Sequence, residues 1–158
     1  MGKWITYTVT LGFTAYWASN LILWFPWSYS TTLGMTLMLT VTPLLWGYVA
    51  FRSLKAYPKN QLLQGAMAVA VLFLLLAVVL DYVFFGHIRN AMEELYHPTT
   101  FYGYGFLLVW PFLLALLLKR KIKESRRRAT IPDIIKAGIP GLICGGILTA
   151  IILLGIEI

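Results

Sequence analysis

Long apolar stretches alternate with short polar stretches along this chain. Five apolar stretches cover residues 5–27, 31–51, 62–86, 99–118 and 139–158. Each contains about the 20 residues that an α-helix needs to cross the hydrocarbon of a bilayer. The third is the most apolar, and threonines, a serine and an asparagine dilute the first. The pattern predicts an all-α, polytopic membrane protein, with about five transmembrane helices in a single domain over residues 1–158.

Composition supports a membrane protein over a soluble one. The 158 residues are 59% hydrophobic and only 12% charged, with a mean hydropathy of +0.77. A soluble domain has about twice that charged fraction, and a globule this small cannot bury so much apolar surface. The single cysteine, Cys144, lies in an apolar stretch. It excludes an intramolecular disulfide and a cysteine metal cluster.

The basic residues predict an orientation. Apart from Arg89, every lysine and arginine lies before the first stretch, between the second and third, or between the fourth and fifth. If the helices alternate in direction, these positions share one side of the membrane. Basic loops favour the cytoplasmic side. We therefore expect a cytoplasmic amino terminus, an outer carboxyl terminus, an outer polar segment over residues 87–98, and a place in the inner (plasma) membrane.

The longest linker, a cytoplasmic basic loop over residues 119–138, predicts a lipid partner. Anionic headgroups attract such a cluster, and its place between two apolar stretches argues against nucleic acid. The residues expected to contact headgroups are Lys119, Arg120, Lys121, Lys123, Arg126, Arg127 and Arg128.

Small residues in the fifth stretch predict close helix packing. Ala137, Gly141 and Gly145 are four residues apart and share one helix face. Such a face lets two helix backbones approach, either within the chain or in a homo-oligomer or larger membrane complex. Thr130 is expected to cap a short segment that lies along the cytoplasmic interface and then turns into the fifth helix.

Two threonine stripes with the same spacing admit two interpretations. Thr6, Thr10 and Thr14 form one, and Thr32, Thr36 and Thr40 form the other. Either they make weak contacts between helices or they line a polar pathway.

One intramembrane acid is the strongest candidate for function. Asp81 precedes the predicted end of the third helix by about 7 Å of helix rise. An ionised carboxylate there should face the bundle interior, find a partner or take up a proton. Arg89 is the expected partner. The alternatives are a structural Asp–Arg pair and a proton- or cation-binding site formed by Asp81, Arg89 and Asn90.

The outer segment contains both histidines of the chain. A helix continuing to Pro98 would place His87, Asn90, Glu94 and His97 on one face. Glu94 and His97 have a spacing that can place both on one metal ion, with Asp81 as a third ligand, so zinc is one possible cofactor. His87 and Glu94 would be roughly 10 Å apart on a straight helix, too far to share one ion.

Two functions therefore remain open. The first is a non-enzymatic protein that transports or senses protons or small cations, or serves as an accessory subunit of a membrane assembly. The second is a membrane-embedded enzyme acting on a lipid or other apolar substrate at the outer leaflet. Its candidate acid–base residues are Asp81, His87, Glu94 and His97, with or without a metal. No phosphate-binding loop, nucleophile elbow or HExxH motif supports another class.

Overall fold

A computed structural model describes the backbone of residues 1–155, and the side chains of these residues except those at 24, 25, 27 and 28. This part of the chain is all-α and contains no β-strand. Its α-helices are α1 (Gly2–Tyr29), α2 (Thr31–Lys55), α3 (Leu62–Val83), α4 (Pro98–Leu117), α5 (Lys119–Glu124) and α6 (Ile131–Leu153). A π-helical turn (Phe84–Ile88) and a 3₁₀ turn (Met92–Tyr96) join α3 to α4.

Four of these segments are long and apolar enough to cross a membrane. They are α2, α3 with its π-helical extension to Ile88, α4 and α6. Helix α1 has 28 residues but is not among them. The predicted bounds agree with the helices to within a few residues, except in the last stretch. There the helix begins at Ile131 rather than at 139, and the predicted residues 156–158 lie outside the described part.

Helix α1 lies at the centre of the bundle, in contact with α2, α3 and α6. It runs antiparallel to α2, because Trp4 near its start donates to the carbonyl of Ser53 near the end of α2 at 2.8 Å. The ring of Trp4 also meets Tyr57 edge-on, just after α2. Beyond the exposed Thr6, the polar side chains of α1 as far as Asn20 are buried or half-buried against other helices. This position accounts for its low hydropathy.

Helix α6 packs against α1 in the same direction. A Cβ atom at Gly141 would lie 2.8 Å from the Cα of Thr14, and one at Gly145 would lie 3.0 Å from the ring of Trp17. Thr14 donates its hydroxyl to the carbonyl of Ala137. The small-residue face over 137–145 therefore packs within the chain, against α1.

The start of α6 corrects one expectation. Thr130 and Asp133 form a capping box, in which the Asp133 carboxylate accepts from the backbone N–H and the hydroxyl of Thr130. The predicted cap is present. The helix then continues without a turn from Ile131 to Leu153. The interfacial segment predicted before the fifth helix is therefore wrong: it is the first two turns of α6.

The basic loop folds back onto the connection between α2 and α3. Arg126 donates to the side chain of Asn60 and to the carbonyl of Lys59. Arg127 pairs with Asp133, and its backbone N–H donates to the carbonyl of Lys55. These contacts bring the basic linkers together at one end of the bundle, which we call the basic end. The opposite end is called the cavity end.

The two threonine stripes differ in surroundings. On α2, Thr36 and Thr40 are exposed and donate to the carbonyls of Thr32 and Thr36, so local backbone bonding accounts for this stripe. On α1, Thr10 and Thr14 lie against Gly138 and Gly141 of α6. Thr10 and Thr14 of the α1 stripe therefore make helix contacts, whereas Thr6 is exposed. For the stripe on α2, the two interpretations stay predictions.

We predict that Gly141→Ala destabilises the protein by about 1–3 kcal/mol, since the added methyl meets the backbone of Thr14. Gly146→Ala is the matched control, because a Cβ there has no atom within 4 Å. Thermal unfolding in detergent, followed by size-exclusion profile, measures both variants. Equal midpoints would contradict a close α1–α6 contact.

A buried carboxylate and a cavity at one end of the bundle

Asp81 is buried at the cavity end and bonded by tyrosines of two other helices. Tyr16 of α1 donates its hydroxyl to Oδ1 at 2.6 Å. Tyr104 of α4 donates to Oδ2 at 2.7 Å. Both carboxylate oxygens thus accept a hydrogen bond, an arrangement that suits the ionised form. The carboxylate faces the interior, as predicted, but its partners are tyrosines rather than Arg89.

The polar face of α1 places Tyr16 beside Asp81. Ser19 and Asn20 lie three and four residues after Tyr16, so all three share one helix face. Asn20 donates to the carbonyl of Tyr16 at 3.0 Å. This face points away from lipid toward α3 and α4. The polar residues that dilute α1 therefore form part of the site.

Asp81 lies in the wall of a cavity of about 760 Å³ between α1, α2, α3 and α4. This is within the size range of small-molecule sites. Aromatic rings from α1, α2, α4 and the π-helical turn contribute to the wall: Tyr16, Trp46, Phe84, Phe85, Tyr102, Tyr104 and Phe106. Polar residues of the wall include Ser19, Asn20, Thr42, Asp81, Arg89, Glu94, His97, Thr99 and Thr100.

Comparison with family models, curated proteins and solved structures finds no match to this chain. A functional interpretation of this protein therefore has to start from the geometry of the cavity.

Arg89 forms a salt bridge with Glu94 through both of its terminal nitrogens. The guanidinium carbon also lies 5.9 Å and 5.5 Å from the ring centres of Phe84 and Phe85. The expected Asp81–Arg89 pair is therefore wrong. The chain reverses direction after Arg89, and this brings Glu94, five residues later, onto its side chain.

The segment between α3 and α4 is not the continuous helix that would align the polar residues. After the π-helical turn the backbone of Asn90 takes a φ of 54°, a left-handed conformation that asparagine tolerates better than most residues. The 3₁₀ turn then leads to Pro98, the first residue of α4. The predicted common face of His87, Asn90, Glu94 and His97 is therefore wrong.

The two histidines have different surroundings. The Nδ1 atom of His97 lies 2.8 Å from the hydroxyl of Thr99 and accepts from its backbone N–H, so His97 caps α4. His87 is exposed and meets the ring of Tyr82 edge-on. Of the two, only His97 lines the cavity.

The proposed metal ligands Asp81, Glu94 and His97 all line the cavity but do not converge. Asp81 is bonded by two tyrosines, Glu94 by Arg89, and His97 contacts Thr99. Among residues 1–155, no group of three or more His, Cys, Asp or Glu side chains is placed to hold a metal ion. A zinc site stays a prediction that this geometry does not support.

Sequence reasoning missed Tyr16, Ser19 and Thr42 as site residues. The hydroxyls of Ser19 and Thr42 are buried, line the cavity and have no hydrogen-bond partner among the described residues. The polar face of the otherwise apolar helix α1 could have indicated Tyr16 and Ser19. Thr42 belongs to neither threonine stripe, and no pattern distinguished it.

The cavity wall thus combines a buried carboxylate, aromatic rings, and hydroxyls that lack a hydrogen-bond partner among the described residues. Such a set can bind a cation through charge, hydrogen bonds and aromatic rings together. For acid–base chemistry the wall offers Asp81 and, besides it, one glutamate and one histidine. The two in the wall, Glu94 and His97, are already engaged in local bonds.

We predict that Tyr16→Phe lowers the free energy of unfolding by about 1–2 kcal/mol, because one donor to the buried carboxylate is lost. Tyr102→Phe is the control, since Tyr102 lines the same cavity but is 73% exposed. In an Asp81→Ala background the Tyr16→Phe change should cost little more, as a double-mutant cycle would show. Equal losses in both backgrounds would contradict the Tyr16–Asp81 bond.

Proposed function

We propose that this protein is a small, non-enzymatic multi-pass membrane protein that binds a proton or small cation at Asp81, for transport or sensing. The observation that supports this most directly is the carboxylate itself, held by two tyrosine hydroxyls in the wall of a cavity of about 760 Å³. A buried acid within an apolar helix bundle is costly to maintain, and such residues mark ion and proton sites.

The charges of the cavity wall favour a cation. Arg89 and Glu94 neutralise each other through their salt bridge, which leaves the charge of Asp81 uncompensated by another ionised side chain in the wall. Six other titratable groups share the cavity with Asp81 and would face its proton uptake: Tyr16, Tyr102, Tyr104, Arg89, Glu94 and His97. Binding of a proton or cation at Asp81 is compatible with transport by this chain and with sensing within a larger assembly.

We assign five spans to the chain, with α1 as the fifth spanning helix. Helix α1 runs beside α6 in the same direction, with Thr10, Thr14 and Trp17 facing Gly138, Gly141 and Gly145. A helix in register with a spanning helix covers the same thickness, and the 28 residues of α1 rise about 42 Å. Its low hydropathy follows from its contacts with three helices.

With five alternating spans, the positive charge of the basic end favours an orientation with that end in the cytoplasm and the cavity end outside. We propose the plasma membrane as the location. At the basic end, Lys119, Arg120, Lys121, Lys123 and Arg128 are exposed, which supports contact with anionic headgroups. Arg126 and Arg127 have a further role, because they attach the loop to the chain through Lys59, Asn60 and Asp133.

The orientation predicts a labelling pattern in intact cells. In a Cys144→Ser background, Glu93→Cys at the cavity end should react with a membrane-impermeant maleimide. Lys123→Cys at the basic end should react only after the cells are permeabilised. The reverse pattern would contradict the orientation. Labelling of both cysteines without permeabilisation would show that α4, which separates them along the chain, does not cross the membrane.

For the function, we predict that Asp81→Asn abolishes pH-gradient-driven proton or cation flux in reconstituted vesicles. The substitution removes the charge while retaining the size of the side chain. Glu93→Gln is the control, since Glu93 is an exposed acid of the same end that does not line the cavity. A pH-sensitive dye or ion-selective probe measures the flux. Equal flux in wild type and Asp81→Asn would contradict the proposal.

A further inference from the structure

The cavity is larger and more aromatic than a proton or a metal ion requires. Its volume of about 760 Å³ suits a ligand of many heavy atoms. Rings of Trp46, Tyr102 and Phe106 face it from α2 and α4. An inorganic cation would leave most of this apolar wall in contact with water, so the wall indicates that the ligand has an apolar part.

The polar groups beside Asp81 indicate what the charged part of the ligand carries. Each oxygen of Asp81 accepts one tyrosine hydroxyl and retains capacity for a further donor. The hydroxyl of Ser19 is in the same wall, and this residue is only 6% exposed. In the part of the chain that the structure describes, the hydroxyl has no hydrogen-bond partner. A buried hydroxyl without a partner is costly, so a ligand group that bonds to it is favoured. Both sites accept N–H donors.

A cation already lies against aromatic rings in this wall. The guanidinium of Arg89 packs over Phe84 and Phe85 while paired with Glu94. One positive charge therefore already packs over the aromatic rings of the wall. The Arg89–Glu94 pair has no net charge that would repel a second cation. The uncompensated charge is that of Asp81.

Resting on the proposed function, we propose that the ligand of the cavity is a protonated organic amine with an apolar body. Its ammonium group donates N–H bonds to Asp81 and Ser19, and its apolar body lies against the rings of Trp46, Tyr102 and Phe106. A quaternary ammonium fits less well, because it has no N–H to donate. A neutral alcohol of the same shape lacks the charge.

The test measures binding of three probes to the purified full-length chain in phosphatidylcholine nanodiscs, with empty nanodiscs as the blank for partitioning into lipid. The probes are 2-phenylethylamine, its N,N,N-trimethyl derivative and 2-phenylethanol. We expect saturable binding of the amine, at least about tenfold stronger than that of the alcohol, since charged hydrogen bonds to Asp81 are involved. Equal binding of amine and alcohol would overturn the inference.

Two variants locate the contact. Asp81→Asn should lower amine affinity by about tenfold or more, whereas Glu93→Gln should leave it unchanged. Ser19→Ala leaves both tyrosine bonds to Asp81 intact, so it can test the ligand contact even if Asp81→Asn does not fold. Ser19→Ala should lower the affinity for the amine about three- to tenfold and leave the affinity for the trimethyl derivative unchanged. Amine binding unchanged by Ser19→Ala would overturn the assigned contact.

The outcome is distinguishable from that of the proposed function. Asp81-dependent proton or inorganic cation flux together with absence of saturable amine binding would overturn the organic-amine inference and leave the proposed function standing. Amine binding that depends on Asp81 and Ser19 would support the inference even if the vesicles show no flux.

Discussion

The bonds from two tyrosines to one carboxylate are the interaction on which the cavity end of the bundle depends. Asp81 belongs to the most apolar helix, and its charge needs donors that this helix does not supply. Tyr16 and Tyr104 supply them from α1 and α4. The two bonds fix the relative positions of three helices and, in doing so, form one side of the cavity.

This constraint accounts for the character of α1. A helix that faced lipid would gain little from serines, threonines and asparagine, but α1 faces α2, α3 and α6. The glycines of α6 pack against Thr14 and Trp17 of α1, and the polar face of α1 brings Tyr16 and Ser19 to the cavity. The helix least suited to lipid is thus the one that organises the bundle.

The break between α3 and α4 has a comparable effect on charge. The π-helical turn and the left-handed Asn90 reverse the chain, so that Glu94 reaches Arg89 and neutralises it. In a continuous helix Glu94, five residues after Arg89, would point to a different side of the helix, so this salt bridge depends on the break. The local pairing of Arg89 leaves Asp81 with neutral donors only. The negative character of the cavity therefore depends on where the helix stops.

The sequence by itself determined the helical membrane character, most helix bounds, the cap at Thr130 and the inward-facing position of Asp81. These follow from apolar stretch length, capping chemistry and the cost of a charge in hydrocarbon, all of which act locally along the chain. The five-span count and the orientation are predictions from the same patterns. The partners of Asp81 and Arg89, the continuity of α6, and the inclusion of Ser19 and Thr42 in one cavity were decided only by the tertiary structure. Hydrogen-bond partners 65 and 23 residues apart along the chain are chosen by which helices become neighbours, and no local pattern records that choice.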